Sequence, residues 1–232
     1  GGMKALKDYL KNKSRVITDL TKAQEFGVSI PKGVFIVGMP GCGKSLCAKA
    51  SAALFNTPLL KLDMGSMMGK YVGESEGNLR KAIKIAEAAA PCVLWIDEIE
   101  KAFSGVGGNN DIMTRMFGYF LSWMQEKQSS VYVIATANNA DNLPPELKRK
   151  GRFDEIFCVN LPNKEERKAI FKIHIGKKKK SLDETALNSV SQITDGFNGA
   201  DIESVVNEAV EKCFIDSLEN KGTTLDERLL KD

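Results

Sequence analysis

The residues Gly38-Met39-Pro40-Gly41-Cys42-Gly43-Lys44-Ser45 have the types and spacing G-x-x-x-x-G-K-[ST] of a phosphate-binding loop. Its glycines permit unusual φ and close approach, so successive backbone N–H groups can aim at one anion. Lys44 would reach the β- and γ-phosphates of a nucleotide, and the Ser45 hydroxyl would sit on Mg²⁺. About fifty residues downstream, Val93-Leu94-Trp95-Ile96-Asp97-Glu98 is an apolar run closed by two acids. Asp97 would hold Mg²⁺, directly or through water. Glu98 would polarise a water for attack on the γ-phosphate. Taken alone, such a pair also fits a strand that ends in solvent-facing acids; behind a phosphate loop it points to hydrolysis.

Two further groups fit the same chemistry. Ala135-Thr136-Ala137-Asn138 ends a second apolar run, and Asn138 would hydrogen-bond the γ-phosphate or the attacking water. By itself an Asn there also suits a turn. Lys148-Arg149-Lys150-Gly151-Arg152-Phe153-Asp154 carries two arginines. Their planar forks suit a phosphate whose charge grows in the transition state, although in isolation the run reads as surface charge.

These groups need rigid elements to hold them. Gly33–Val37 reads as a buried strand ahead of the loop, and Leu46–Leu54 as a helix behind it, whose N-terminus adds partial positive charge. Further strands are expected over 57–62, 92–96, 131–135 and 156–159, with helices over 74–90 and from Met113 through Met124. The stripe Met113, Phe117, Phe120, Leu121 and Met124 reads as core. Alternation of strands and helices predicts a parallel sheet covered on both faces. After Pro162 the pattern turns all-helical, with helices expected over 165–175, 183–193 and 199–218. The run Lys177–Lys180 reads as a charged connector. Residues 1–32 are expected to be helical, with Leu6, Leu10, Ile17 and Leu20 at helical spacing. Their basic excess reads as a solvated face.

Composition bounds the function. The 232 residues are 43% hydrophobic and 27% charged, ordinary for a globular chain. A net charge of +3 is too small to argue for nucleic acid. Five cysteines without C-x-x-C pairing and one histidine, His174, make no zinc constellation and suit a reducing compartment. No secretory pattern and no apolar run near 18 residues occurs, so no membrane partner is expected.

Together these residues resemble the classical AAA ATPases, over essentially the whole chain. Gly38–Ser45 is similar to Walker A and Leu94–Glu98 to Walker B. Asn138 falls on sensor 1, and Arg149 and Arg152 on the paired arginine fingers. Gly199-Ala200-Asp201 is similar to the G-A-D of the helical lid, whose glycine–alanine pair lies near the adenine. Tyr71-Val72-Gly73-Glu74-Ser75 resembles an aromatic pore loop. Residues 92–102 (CVLWIDEIEKA) and the run ATANNADNLPPELKRKGRFDEIF resemble the single-AAA proteins named for a hypothetical chloroplast reading frame of plastids and cyanobacteria. Gly1-Gly2-Met3 resembles the opening of many AAA modules, which implies a truncated or isolated module. Cys42 and Ser45 stand where Thr is commoner, and the lid is expected to be cut short after Leu230.

The resemblance implies an α/β fold, a P-loop NTPase five-stranded parallel sheet flanked by helices, followed by a small all-α lid, with domains 1–161 and 162–232. It implies ATP and Mg²⁺ as cofactors. Glu98, Lys44, Asn138, Arg149 and Arg152 would be catalytic. Gly38, Pro40, Gly41, Cys42, Gly43, Lys44, Ser45, Leu46, Gly199 and Ala200 would bind nucleotide, and Ser45 and Asp97 the metal. The expected activity is Mg-dependent ATP hydrolysis driving protein remodelling in a hexameric ring, in cytoplasm or plastid stroma. The expected client is a protein gripped by Tyr71, whose ring otherwise folds onto Met67 and Met68. A nucleic-acid loader and an ATP-gated scaffold with little turnover are the alternatives.

Overall fold

A computed structural model describes residues 3–63, 74–102, 111–139, 144–218, 225 and 230. The chain divides into two compact units. One comprises residues 4–38 and 44–159; the other comprises 1–3, 39–43 and 160–232.

The larger unit is built on five parallel strands, β1 (Gly33–Gly38), β2 (Leu59–Leu62), β3 (Cys92–Ile96), β4 (Val131–Ala137) and β5 (Glu155–Val159). Their order is β2-β3-β4-β1-β5, with Ile96 opposite Ala135 and Val37 opposite Ala137. The three inner strands are buried nearly throughout, because helices cover both of their faces. The edge strands expose Lys61 on β2 and Glu155, Ile156 and Cys158 on β5. Period-two alternation sends Phe35, Val37, Leu94, Ile96, Val133 and Ala135 to one face. There they meet Leu79, Ile83 and Ala86 of α4 (Glu74–Ala88) and the Met–aromatic stripe of α6 (Asp111–Glu126), which is core as expected. Helix α3 (Lys44–Phe55) packs on β1 to β4, and the edge-on contact of Phe55 with Tyr132, ring centroids 5.1 Å apart, marks the other face.

The expected helix over residues 1–32 is shorter and broken. It forms α1 (Lys4–Thr18) and α2 (Leu20–Glu25), and residues 26–32 are not helical. Gly27 takes φ +96°, a left-handed value that ends a helix readily only at glycine. Of the four apolar residues read as its stripe, Leu6 and Leu10 are buried, while Ile17 and Leu20 are only partly covered. The sequence pattern also passed over α5 (Ile99–Ala102) and a 3-10 turn at Pro145–Lys148, each too short for a periodic signal.

The smaller unit holds α7 (Lys164–Lys177), α8 (Glu184–Ile193) and α9 (Gly199–Leu218). Phe171, Ile175, Leu187, Val190, Ile202, Val206 and Ala209 form its core. Helix α7 opens with a capping box in which Asn163 and Glu166 satisfy each other's backbone N–H. The buried Arg167 guanidinium donates to Ser191 O at 3.0 and 3.2 Å and to Pro162 O at 2.9 Å, tying the start of α7 to the end of α8.

Candidate nucleotide site

Because the strands are parallel, the segments after β1, β3 and β4 emerge at one edge of the sheet. That edge carries Gly38, Asp97, Glu98 and Asn138. Lys44, the first residue of α3, is only 7% exposed. Its ammonium donates to Gly38 O at 2.6 Å and to Asn138 Oδ1 at 3.0 Å. Asn138 Nδ2 in turn donates to Glu98 Oε1 at 3.0 Å. Three of the residues read from sequence therefore form one side-chain chain, Lys44–Asn138–Glu98.

The β3–β4 register adds a member that sequence reasoning missed. Thr136, fully buried, donates its hydroxyl to Asp97 Oδ1 at 2.6 Å and accepts the Glu98 N–H at 3.2 Å. One hydroxyl thus orients both acids. Glu100 is a second addition: it accepts the Asn138 backbone N–H at 2.8 Å, and its other oxygen is buried with no hydrogen-bond partner. Thr136 is brought in by pairing between strands and Glu100 by α5 closing on the end of β4, neither of which a linear pattern carries.

Glu98 has φ +50°, a left-handed conformation that costs a non-glycine residue of order 1 kcal/mol or more and concentrates at functional sites. Lys101 stands three residues on, its Nζ 2.7 Å from Glu98 Oε2. The Lys101 and Asn138 hydrogen bonds hold the Glu98 carboxyl below its ordinary range. Asp97 has a looser neighbour, Lys61 Nζ at 3.9 Å, which also lies 4.6 Å from the Trp95 ring centroid.

Arg149 and Arg152 occupy the approach to β5. Arg149 is exposed, and Arg152 donates to Glu146 O at 2.8 Å. Ser45 is partly covered and Leu46 is exposed. Asp97 and Ser45 offer hard oxygen donors, the kind Mg²⁺ takes alongside phosphate and water. The donor set therefore fits that ion. Among the described residues no group of three or more His, Cys, Asp or Glu forms a metal cage.

In the smaller unit, Gly41 and Gly43 take φ +76° and +84°, which glycine permits. Gly199 N donates to Gly41 O at 3.0 Å. Asn198 Oδ1 accepts from Ala200 N and Asp201 N at 2.8 and 3.0 Å, capping α9. A side chain at Gly41 would run into the Asn198 amide. Cys42 is buried and Pro40 exposed. Gly41, Gly199 and Ala200 are thus brought together. Tyr71 and its flanking glycines lie outside the described residues.

Comparison with known proteins decides the family. Residues 34–161 match the ATPase family associated with various cellular activities (AAA), and residues 184–227 match the AAA+ lid domain. The chain belongs to the AAA ATPase family. Its fold is the five-stranded parallel sheet with flanking helices plus a helical lid domain. It is 48% identical over 222 residues to the "Uncharacterized AAA domain-containing protein ycf46" of Guillardia theta, covering 94% of this chain and 44% of that protein. The ycf46 protein of Pyropia yezoensis is 45% identical over 222 residues, 94% of this chain and 45% of that protein. These are single-AAA proteins of plastid-bearing lineages, as the residue runs at 92–102 and after Ala135 led one to expect. An "ATP-dependent zinc metalloprotease FtsH" of Cyanidium caldarium is 36% identical over 214 residues, 90% of this chain and 35% of that protein. The chain spans less than half the length of these relatives. Among the described residues no helix is long and apolar enough to cross a membrane.

Proposed function

We propose that this AAA module hydrolyses ATP with Mg²⁺ and couples turnover to remodelling of a protein in a ring of copies. The observation that supports it most is the Lys44–Asn138–Glu98 chain, which joins a phosphate-loop lysine, a polar strand-end amide and a candidate base through bonds of 3.0 Å each. In this reading Lys44 exchanges its protein acceptors for phosphate oxygens, and Asn138 orients water against Glu98. Thr136 holds Asp97 and the Glu98 backbone so that the two acids keep separate tasks. Ser45 and Asp97 would hold Mg²⁺; what that ion supplies is neutralisation of charge on the phosphates. Arg152 bonds instead to Glu146 O, and Arg149 and Arg152 would serve a neighbouring copy's nucleotide. Gly199 and Ala200 would lie near the adenine, and residues 162–232 would act as the lid. The protein client would be gripped by Tyr71, in cytoplasm or plastid stroma.

Two measurements test this. Phosphate release from ATP, dependent on Mg²⁺, is expected from the purified chain; binding without release would make it an ATP-gated scaffold. The mass of the assembly with ATP held in the site is expected to be that of six copies. Turnover stimulated by nucleic acid with a steep salt dependence would instead favour a nucleic-acid loader.

A further inference from the structure

Two ladders stop just short of Asn138. The β3–β4 pairing ends with Ile96 opposite Ala135, and the β1–β4 pairing with Val37 opposite Ala137. The Asn138 N–H lies beyond both. Glu98 does not extend the first ladder, because its φ of +50° turns the chain out of the strand and its own N–H goes to Thr136 Oγ1 at 3.2 Å. A side chain takes the empty place. Helix α5 follows directly, and Glu100 Oε1 accepts the Asn138 N–H at 2.8 Å. Ile99 beside it is fully buried, so α5 is anchored in the core.

This bond does little for the stability of the fold. Glu100 is only 9% exposed, and its other oxygen, Oε2, is buried without a hydrogen-bond partner. Leaving a buried acceptor unpaired costs at least as much as one hydrogen bond contributes, so the two oxygens offset each other. What the carboxyl supplies is position. The Asn138 amide must serve two partners at once: its Oδ1 accepts from Lys44 Nζ and its Nδ2 donates to Glu98 Oε1, each at 3.0 Å. An amide with a separate partner for its oxygen and its nitrogen has one useful orientation, and this one sits just past the end of its strand. Thr136 fixes Asp97 from within the sheet. Glu100 does the corresponding work for Asn138 from outside it.

We propose that Glu100 is a positioning residue for hydrolysis: its buried carboxyl stands in for the missing ladder partner of the Asn138 N–H and so aims the Asn138 amide between Lys44 and Glu98. The proposal rests on the reading of Asn138 as the group that orients water against Glu98. Glu100 itself touches neither nucleotide nor water.

The test compares the full chain with Glu100→Met, Glu100→Gln, Asn138→Ala and the double variant Glu100→Met/Asn138→Ala. Phosphate release is read against ATP concentration, together with the affinity for a fluorescent ATP analogue and the melting temperature. Glu100→Met keeps the length of the side chain and removes the acceptor. Its kcat is expected to fall about ten- to a hundredfold, the range that a small misplacement of a group at the reacting centre produces. Analogue affinity should stay at the parental value. Glu100→Gln keeps an oxygen that accepts the N–H, and it should recover most of the loss. Because Glu100 acts through Asn138, the double variant should be no slower than Asn138→Ala alone. A further drop in the double variant overturns the proposal, as does a Glu100→Gln that falls as far as Glu100→Met. A Glu100→Met that does not fold would make Glu100 a support of the fold, which overturns it too. If the parent turns over ATP and Glu100→Met is equally fast, the positioning role alone fails. If the parent releases no phosphate, the proposed function fails and the positioning role with it.

Discussion

The two edges of the sheet each bury a lysine to the same degree, and they use it in opposite ways. At the carboxyl edge Lys44 is 7% exposed, and at the amino edge Lys127 is also 7% exposed. Lys127 donates to Val131 O at 2.6 Å, Pro31 O at 3.3 Å and Ser129 O at 3.5 Å, all main-chain carbonyls. Around it Lys32 Nζ donates to Gln125 O and Gly151 O, and Asp154 accepts the N–H groups of Lys32 and Gly33. This edge is stitched by backbone, whose positions the fold itself sets. At the carboxyl edge Lys44 also donates to one main-chain carbonyl, Gly38 O, but there side chains bond to one another as well: Lys44 to Asn138, Asn138 to Glu98, Glu98 to Lys101, Thr136 to Asp97. A lysine with few protein acceptors at the open edge can exchange them for a ligand's oxygens, whereas Lys127 is enclosed by three carbonyls. Equal burial therefore does not mean equal role.

The comparison is broken most forcefully by substitutions at the exchangeable edge and its arginines. Arg152→Ala is expected to cost about a thousandfold or more in turnover, as loss of an arginine finger does. Lys44→Ala should also be inactive, through lost phosphate contact. If the arginines act on a neighbouring copy, mixing the two inactive variants under conditions of subunit exchange restores some phosphate release. No recovery in demonstrably mixed assemblies would place both residues in one site.

At the amino edge the expected effect falls on stability and its pH dependence. Burial pushes the Lys127 ammonium down to about 8, with Asp154 pulling weakly the other way. The unfolded chain keeps that proton to about pH 10.4, as an ordinary lysine does. Between these values the unfolded state holds the extra proton, so raising the pH favours the fold. The parent should gain about 2 kcal/mol in unfolding free energy from pH 8 to pH 10 relative to Lys127→Met, measured by denaturant titration. Burial raises the Tyr9 and Tyr132 hydroxyls, which reverses the trend above pH 10. Parallel pH curves for the two proteins would show that burial does not lower the Lys127 pKa. Turnover at neutral pH should hardly distinguish them.

Much of this division was legible in sequence. Strand β3 and helix α9 fall where apolar runs and the G-A-D triplet put them. Lys44, Glu98 and Asn138 could be chosen because their chemistry is written in spacing. Thr136 and Glu100 could not, since Thr136 meets Asp97 through the β3–β4 register and Glu100 meets Asn138 where α5 closes on the end of β4. Lys101 carried a signal that was not used: it stands three residues after an acid at the start of a helix, where side chains meet. Lys127 carried none, because a lysine in Glu126-Lys127-Gln128-Ser129 reads as part of a turn until the fold closes carbonyls around it. The break at Gly27 was missed because helical spacing of Leu6, Leu10, Ile17 and Leu20 outweighed a single glycine.

The smallest expected effect on basal turnover and stability belongs to Tyr71, which lies outside the described residues. Tyr71→Ala should leave basal turnover and melting temperature nearly unchanged while abolishing client-stimulated turnover. A ring packed on Met67 and Met68 would instead cost about 3–5 kcal/mol on truncation. That would lower the melting temperature by roughly ten degrees in a chain this long. Such a drop would remove the residue on which the threading reading depends.

The central claim, that the carboxyl edge is a hydrolytic site with Glu98 as its water-polarising group, is tested most directly by Glu98→Gln. The amide keeps the shape of the side chain, and Asp97, Ser45 and Lys44 remain for nucleotide and metal. ATP should bind at parental affinity while phosphate release falls about a hundredfold or more, the range removal of a general base produces. A variant that binds ATP and releases phosphate at the parental rate would contradict the account.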